Sequence, residues 1–174
     1  MNIIACKAVA FAEKAHRGQV RKYTSEPYIN HPISVARLVK TVFNDGDSIA
    51  AALLHDVVED THFTIEDIYN GFGSIIACLV KDLTDTSKPS DGNREARKKI
   101  DRQHTSEASP RAKTIKLADI IDNMQSIAKH DPDFAKVYMA EKKALLKVLT
   151  EGNPILYKKA FDIITEYYDE VKHV

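Results

Sequence analysis

Apolar residues recur at helical spacing along almost the whole chain, and runs of β-branched residues in strict alternation, which would signal strands, are absent. The pattern predicts an all-α protein. Punctuation between the periodic stretches divides it. A first helix is expected over about residues 2–16, stopping near Gly18. The loop VRKYTSEPYIN then leads into NHPISVARLVKTVF, where Asn30 is the expected N-cap and Pro32 fits the first turn, because its missing N–H would have no helical partner there. Asn44-Asp45-Gly46 closes that helix, and Asp47 or Ser48 is expected to cap the next, which should run to about Asp60. Thr64 and Asp67 resemble a capping box for a short helix ending at Asn70-Gly71, and FGSIIACLVKDLT reads as a further helix. The polar stretch DTSKPSDGN reads as a loop long enough to move beside a site. NREARKKIDRQHTSEA then forms a charged helix. Ser109-Pro110 opens a long one to about His130, Asp131-Pro132 restarts the chain, and Gly152-Asn153-Pro154 leads into a last helix ending near Val174.

At 174 residues with 44% hydrophobic content, the chain suits one domain, residues 1–174, with a sizeable core. Lys plus Arg and Asp plus Glu both number 25, so no global field would gather DNA or RNA, and a nucleic-acid partner is not expected. There is no apolar run of eighteen residues, and Lys7, Glu13 and Lys14 interrupt the N-terminal stretch where a signal peptide needs an apolar core. A cytoplasmic protein without membrane association is expected. Cys6 and Cys78, isolated on apolar stretches, are expected to be buried reduced thiols.

One helical stretch carries unusual chemistry. In LLHDVVEDT, the residues His55, Asp56, Glu59 and Asp60 fill one arc of about 140° on a helix otherwise covered by Leu53, Leu54, Val57 and Val58. A solvated stripe explains this, and so does a metal site. Against the stripe, Glu59 and Asp60 would stand at a helix C-terminus, where the macrodipole disfavours each by about 0.3–1 kcal/mol. Imidazole and carboxylate are adequate ligands for a borderline cation that would compensate. His31, at a helix start, reads by itself as a capping or packed histidine. On KTIKLADIIDNMQSI the apolar face is Leu117, Ile120, Ile121, Met124 and Ile127, which turns Asp119, Asn123 and Ser126 outward and makes Asp119 a surface residue by periodicity. The basic patch HRGQVRK reads as a solvated loop or a seat for a small anion.

Taken together, His31, His55-Asp56 and Asp119 resemble the H…HD…D pattern of HD-domain metal phosphohydrolases. GQVRK, PYINHPI, AALLHDVVEDT, FGSIIACLV and IKLADIIDN, in that order, are similar to the hydrolase domain of the RelA/SpoT family. The similarity runs over about residues 11–126. It implies an all-α HD-domain helical bundle and, since the chain leaves no room for a synthetase domain, a stand-alone small alarmone hydrolase. The implied reaction converts guanosine tetra- or pentaphosphate to GDP or GTP plus pyrophosphate. The resemblance makes His31, His55, Asp56 and Asp119 ligands of Mn²⁺, with coordination positions left open for chemistry. It makes Glu59 and Asp60 the acids that orient and deprotonate water, without saying which is the base. Arg21 and Lys22 would face the nucleotide base and phosphates, Asn123 the ribose or base, and Ser126 stands where the family often has threonine.

Two departures lie near the implied nucleotide pocket: the loop RKYTSEPYINHP is one residue longer than the common pattern, and Gln125 stands where arginine is frequent. Arg97 or Lys98 could add phosphate contacts, although a solvated helix face explains them more simply. Three other functions stay in view: an HD phosphohydrolase acting on another phosphorylated nucleotide such as NADPH, a regulatory module that binds nucleotide without turnover, and a di-iron oxygenase, which would need further histidine ligands. The intact set of ligands and acidic pair favours the first class, since a pure binder would not need Glu59 and Asp60.

Overall fold

A computed structural model describes residues 3–172, and among them every regular element is helical. The order is α1 (Ile3–Ala15), α2 (Asn30–Lys40), α3 (Gly46–Leu54), α4 (Val57–Asp60), α5 (Ile65–Phe72), α6 (Ser74–Leu83), a short 3-10 turn at Pro89–Asp91, α7 (Arg94–Glu107), α8 (Pro110–His130), α9 (Pro132–Leu146) and α10 (Pro154–Lys172). One isolated antiparallel bridge, Val20 to Pro27, is the only β-type pairing among the described residues. The all-α expectation is met. The expected end of the last helix near Val174 lies outside the described residues.

The bundle is built around α3 and α8. Ala50, Ala51 and Ala52 on α3 and Ala5, Ala8 and Ala12 on α1 are all buried, so two slim faces meet and the helices approach closely. α2 packs on both α3 and α8, while α6, α9 and α10 close the outside of α8. As a result α8 is buried almost all round: beside its predicted apolar face, Ala112, Lys113, Thr114, Ile115, Ala118 and Asp119 are buried too. This corrects the surface placement of Asp119, because the periodicity of one helix cannot show that a second layer covers its polar side.

Several boundaries differ from expectation for local reasons. Asn30 is the first helical residue of α2 rather than its cap, and Ile29 before it offers no capping side chain. The cap of α3 is Asp45, two or three positions earlier than expected, whose carboxylate accepts from the Ser48 amide at 2.8 Å and from Arg111 at 2.6 Å. The capping box at Thr64 and Asp67 forms in full. The helix that follows runs on to Phe72, where Gly73 turns the chain into α6 at a φ of 86°, a left-handed value suited to glycine. Cys6 and Cys78 are free but exposed, contrary to expectation: both sit on the outward arcs of α1 and α6, where helical phase outranks the apolar context.

The stretch expected as one helix through residues 48–60 is broken. α3 ends at Leu54 and a single turn, α4, begins at Val57, leaving His55 and Asp56 between them. His55 Nδ1 donates to the Ala52 carbonyl at 2.8 Å, the local competition by which a side chain interrupts a helical ladder. α7 is different in kind. Only Asp101 and Thr105 of its fourteen residues are buried, and it is held by polar contacts: Arg94 to Glu141 and Lys98 to Asp85 across elements, and the Thr86 and Ser87 amides to Asp101.

Candidate metal centre

α2, the α3–α4 break and α8 converge on one point because α2 packs against both of the others. From α2 comes His31, from the break come His55 and Asp56, and from the middle of α8 comes Asp119. Both imidazoles are sealed from solvent, at 2% exposure each. Ligand atoms of His31, His55 and Asp56 lie within 4.8 Å of one another. Asp119 Oδ1 closes the group from α8, 3.3 Å from His31 Nε2 and 3.8 Å from His55 Nε2, while Asp56 Oδ2 lies 3.4 and 3.1 Å from the same two nitrogens.

Hydrogen bonding sets the imidazole orientation. His31 Nδ1 lies 2.7 Å from Asp122 Oδ2 and His55 Nδ1 2.8 Å from the Ala52 carbonyl. A carboxylate and a carbonyl can only accept, so in both rings Nδ1 carries hydrogen and Nε2, facing inward, is the atom left to ligate. Neither Nε2 has a hydrogen-bond partner of acceptable geometry, although both are buried. Two unpartnered buried nitrogens facing two carboxylates are the donor set of a divalent cation, with the outer hydrogen bonds that usually orient histidine ligands.

Without a cation the cluster must balance itself. Burial works against the charged form of His55, but the negative charges of Asp56 and Asp119 beside it outweigh it and raise the imidazole well above its usual range. His31 is also raised: burial opposes it, and the nearby Asp119 carboxylate and the hydrogen bond to Asp122 overcome that. Asp56 and Asp119 are held low in turn despite burial, Asp56 chiefly by His55 and Asp119 chiefly by Lys116. Protons on the imidazoles thus stand in for a positive ion.

The acidic pair lies beside this cluster. Glu59 is exposed as a residue, yet its carboxylate is crowded by protein. Burial and the nearby Asp85 charge push it up to about 7, and it accepts from the Asp85 amide at 3.2 Å. Asp60 is raised by burial and by Asp56. The Tyr28 hydroxyl lies 2.7 Å from Asp56 Oδ2 and 2.9 Å from Asp60 Oδ2. The single hydroxyl hydrogen can serve only one of the two carboxylates at a time.

The predicted nucleotide contacts divide. Arg21 is largely buried and donates to Asn123 Oδ1 at 3.2 Å and Asp122 Oδ2 at 3.1 Å, while Asn123 donates to Asp119 Oδ1 at 2.7 Å. Arg21 and Asn123 are therefore one step from the cluster. The solvated-loop reading fails for Arg21. Lys22 is exposed and reaches Tyr23 at 3.1 Å and Asp131 at 3.7 Å. Ser126 lies half-buried one turn beyond Asn123, its carbonyl accepting from His130, and no contact among the described residues joins it to the cluster. Lys98 is engaged by Asp85 and Asp101.

Residues that sequence reading passed over complete the surroundings. Asp122 bridges His31 and Arg21, and it could have been found in LADIIDN as the acid one turn after Asp119. Tyr28 stands inside the quoted PYINHPI. Lys116, one turn before Asp119, reaches Asp119 Oδ2 at 3.4 Å and is held charged against burial by Asp119, Asp85 and Glu59. Only its spacing to Asp119 would have pointed to it.

Comparison with known proteins agrees with this geometry. A family model described as HD domain matches residues 8–149. Guanosine-3′,5′-bis(diphosphate) 3′-pyrophosphohydrolase MESH1 of Drosophila melanogaster is 37% identical over 129 residues, covering 72% of this chain and 70% of that protein. The Homo sapiens protein of the same name is 37% identical over 130 residues, covering 73% and 71%. A solved structure, described as a metazoan ortholog of SpoT that hydrolyzes ppGpp and plays a role in starvation responses, superposes with a TM-score of 0.85 at 31% identity, covering 95% of this chain and 96% of that one. Placed beside the histidine and aspartate cluster, these likenesses establish that the chain belongs to the HD-domain family, in the branch that holds the MESH1 proteins.

Proposed function

We propose that this chain is a metal-dependent phosphohydrolase that removes the 3′-pyrophosphate of guanosine tetra- or pentaphosphate, lowering the alarmone level in a starvation response. One observation carries the reading: two buried Nε2 atoms and two carboxylates aimed at one point, with no hydrogen-bond partner for the nitrogens. His31, His55, Asp56 and Asp119 would hold the cation, Mn²⁺ in our reading. When bound, it would supply charge to polarise a phosphate oxygen and acidify a water. The likeness to pyrophosphohydrolases over most of the chain supports the substrate.

The chain's own residues account for the proton. Glu59, held near 7, accepts it from the attacking water. Asp60, tied to Tyr28, orients that water. The water oxygen bonds to the phosphorus nearest the ribose, the bond to the 3′ oxygen breaks, that oxygen takes up the proton Glu59 received, and pyrophosphate leaves. Arg21 would stack on the base with Asn123 beside it. Lys22 and Ser126 would join the pocket only at its rim. The whole chain serves as one catalytic domain working in the cytoplasm. No helix among the described residues is long and apolar enough to cross a membrane.

The test is pyrophosphate release from guanosine tetraphosphate by Mn²⁺-loaded protein, with metal-stripped protein and Asp56→Ala as controls and NADPH as a second substrate. Turnover lost in both controls is expected. Folded, loaded protein that cleaves NADPH alone, or binds the nucleotide without turnover, would reject the assignment.

A further inference from the structure

A pocket of about 40 Å³ lies between α7, α8 and α9 and adjoins the metal centre through Lys116. Its anions are committed. Asp85 and Asp101 share Lys98 at 2.7 and 3.3 Å, Asp101 also accepts from the Thr86 and Ser87 amides, and Glu141 grips Arg94 with both oxygens at 2.6 and 2.9 Å. Its cations are not. Neither Lys142 nor Arg102 has a hydrogen bond or ion pair among the described residues, and the Lys142 ammonium has only the Tyr138 ring, 4.6 Å from its centroid.

An ammonium crowded by protein and left without a contacting counter-charge is costly, and the usual remedies are a paired acid or loss of the proton. No acid is free here. Burial leads, the Lys116 and Lys98 charges add to it and Asp119 and Asp85 offset it only in part, so Lys142 is pushed down to about 8. Two unpaired cations around a polar hollow therefore lack an anion. The hollow has room for about two or three waters, which is the scale of one phosphoryl group and far below that of a nucleoside.

We propose that the pocket between α7, α8 and α9 is a phosphoryl-binding site, with Lys142 and Arg102 as its charge-bearing residues and Lys116 linking it to Asp119. The phosphoryl group comes either from the substrate, as the distal phosphate of its pyrophosphate, or from free inorganic phosphate; the first source rests on the hydrolase reading, the site itself does not.

The test uses the full chain, metal-stripped and at constant ionic strength, titrated with inorganic phosphate and with pyrophosphate by calorimetry and thermal unfolding. Saturable binding is expected in the wild type, with a rise in Tm. In Lys142→Met the affinity should fall at least about tenfold and the Tm rise should vanish, while the unliganded Tm stays level or increases because a strained charge is gone. Arg102→Gln should weaken binding in the same direction, and it carries the test if Lys142→Met folds poorly. Inhibition of guanosine tetraphosphate turnover by phosphate that is competitive assigns the site to the substrate's own phosphate, and non-competitive inhibition assigns it to the free anion. Equal binding by wild type and both variants, or no saturable binding by the wild type, overturns the proposal. Since binding is read without metal or turnover, its failure would leave the hydrolase assay intact, and the reverse holds too.

Discussion

Replacing Asp122 by asparagine isolates what an outer partner does for the cation site. Asp122 Oδ2 accepts from His31 Nδ1 at 2.7 Å and from Arg21 at 3.1 Å. An asparagine could still turn its carbonyl to His31, but the imidazole would lose a full negative charge behind it, and an amide N–H turned toward Arg21 would meet another donor. Outer-shell partners of histidine ligands typically contribute 10–100-fold to metal affinity. That corresponds to about 1.4–2.7 kcal/mol. Asp122→Asn should therefore raise the Mn²⁺ Kd by about 10–100-fold, measured by calorimetric titration of metal-stripped protein. Asp131→Asn, which touches Tyr23 and Lys22 on the same loop but not the cluster, should leave that Kd unchanged and serves as the control. A Kd within twofold of wild type in folded Asp122→Asn would refute the claim that this carboxylate orients His31.

Cation binding should release protons, because His31 and His55 are held protonated by their carboxylates and must give up the Nε2 proton to act as ligands. Affinity should then weaken as pH falls, and titrations in buffers of different ionisation enthalpy should show the release; a buffer-independent heat would contradict this. The Glu59 carboxyl, pushed up to about 7, is protonated below that pH and a base above it, so kcat should climb through pH 7, and Glu59→Gln should remove activity together with that limb of the profile. A profile flat from pH 6 to 8 would exclude it as the base. In Gly152→Ala the new Cβ would sit 2.7 Å from Leu117 Cδ1 and 3.1 Å from the Leu149 carbonyl, an overpacking that should cost about 1–3 kcal/mol in denaturant unfolding, with unchanged stability as the contrary result.

Most of the element order was readable from capping residues and helical period, since both act over one or two turns. Ser109-Pro110 and Asp131-Pro132 open α8 and α9 where the sequence places them. What escaped depends on contacts distant in the chain. Asp119 looked solvent-facing because α8 has a good apolar stripe, and only the layer formed by α2 and the α3–α4 break turns its polar face into an interior. The arc of His55, Asp56, Glu59 and Asp60 was drawn on an unbroken helix. The break at His55 coincides with that residue's own bond to Ala52, which a periodicity argument does not register. The motif order identified the four cluster residues despite this, while Asp122, Tyr28 and Lys116 emerged only from distances.

The way α7 is attached gives the molecule two kinds of cohesion. Its neighbours are joined through apolar burial, which salt barely weakens, whereas α7 is fastened by ion pairs such as Arg94–Glu141 and Lys98–Asp85 whose side chains still reach solvent. Such pairs contribute about 0–1 kcal/mol each and are screened within roughly 10 Å at 0.1 M salt. Raising ionic strength should therefore unfasten this helix while the core stands. Amide exchange would quicken along α7 well before it does in α3 or α8, making salt a selective probe of one wall of the protein.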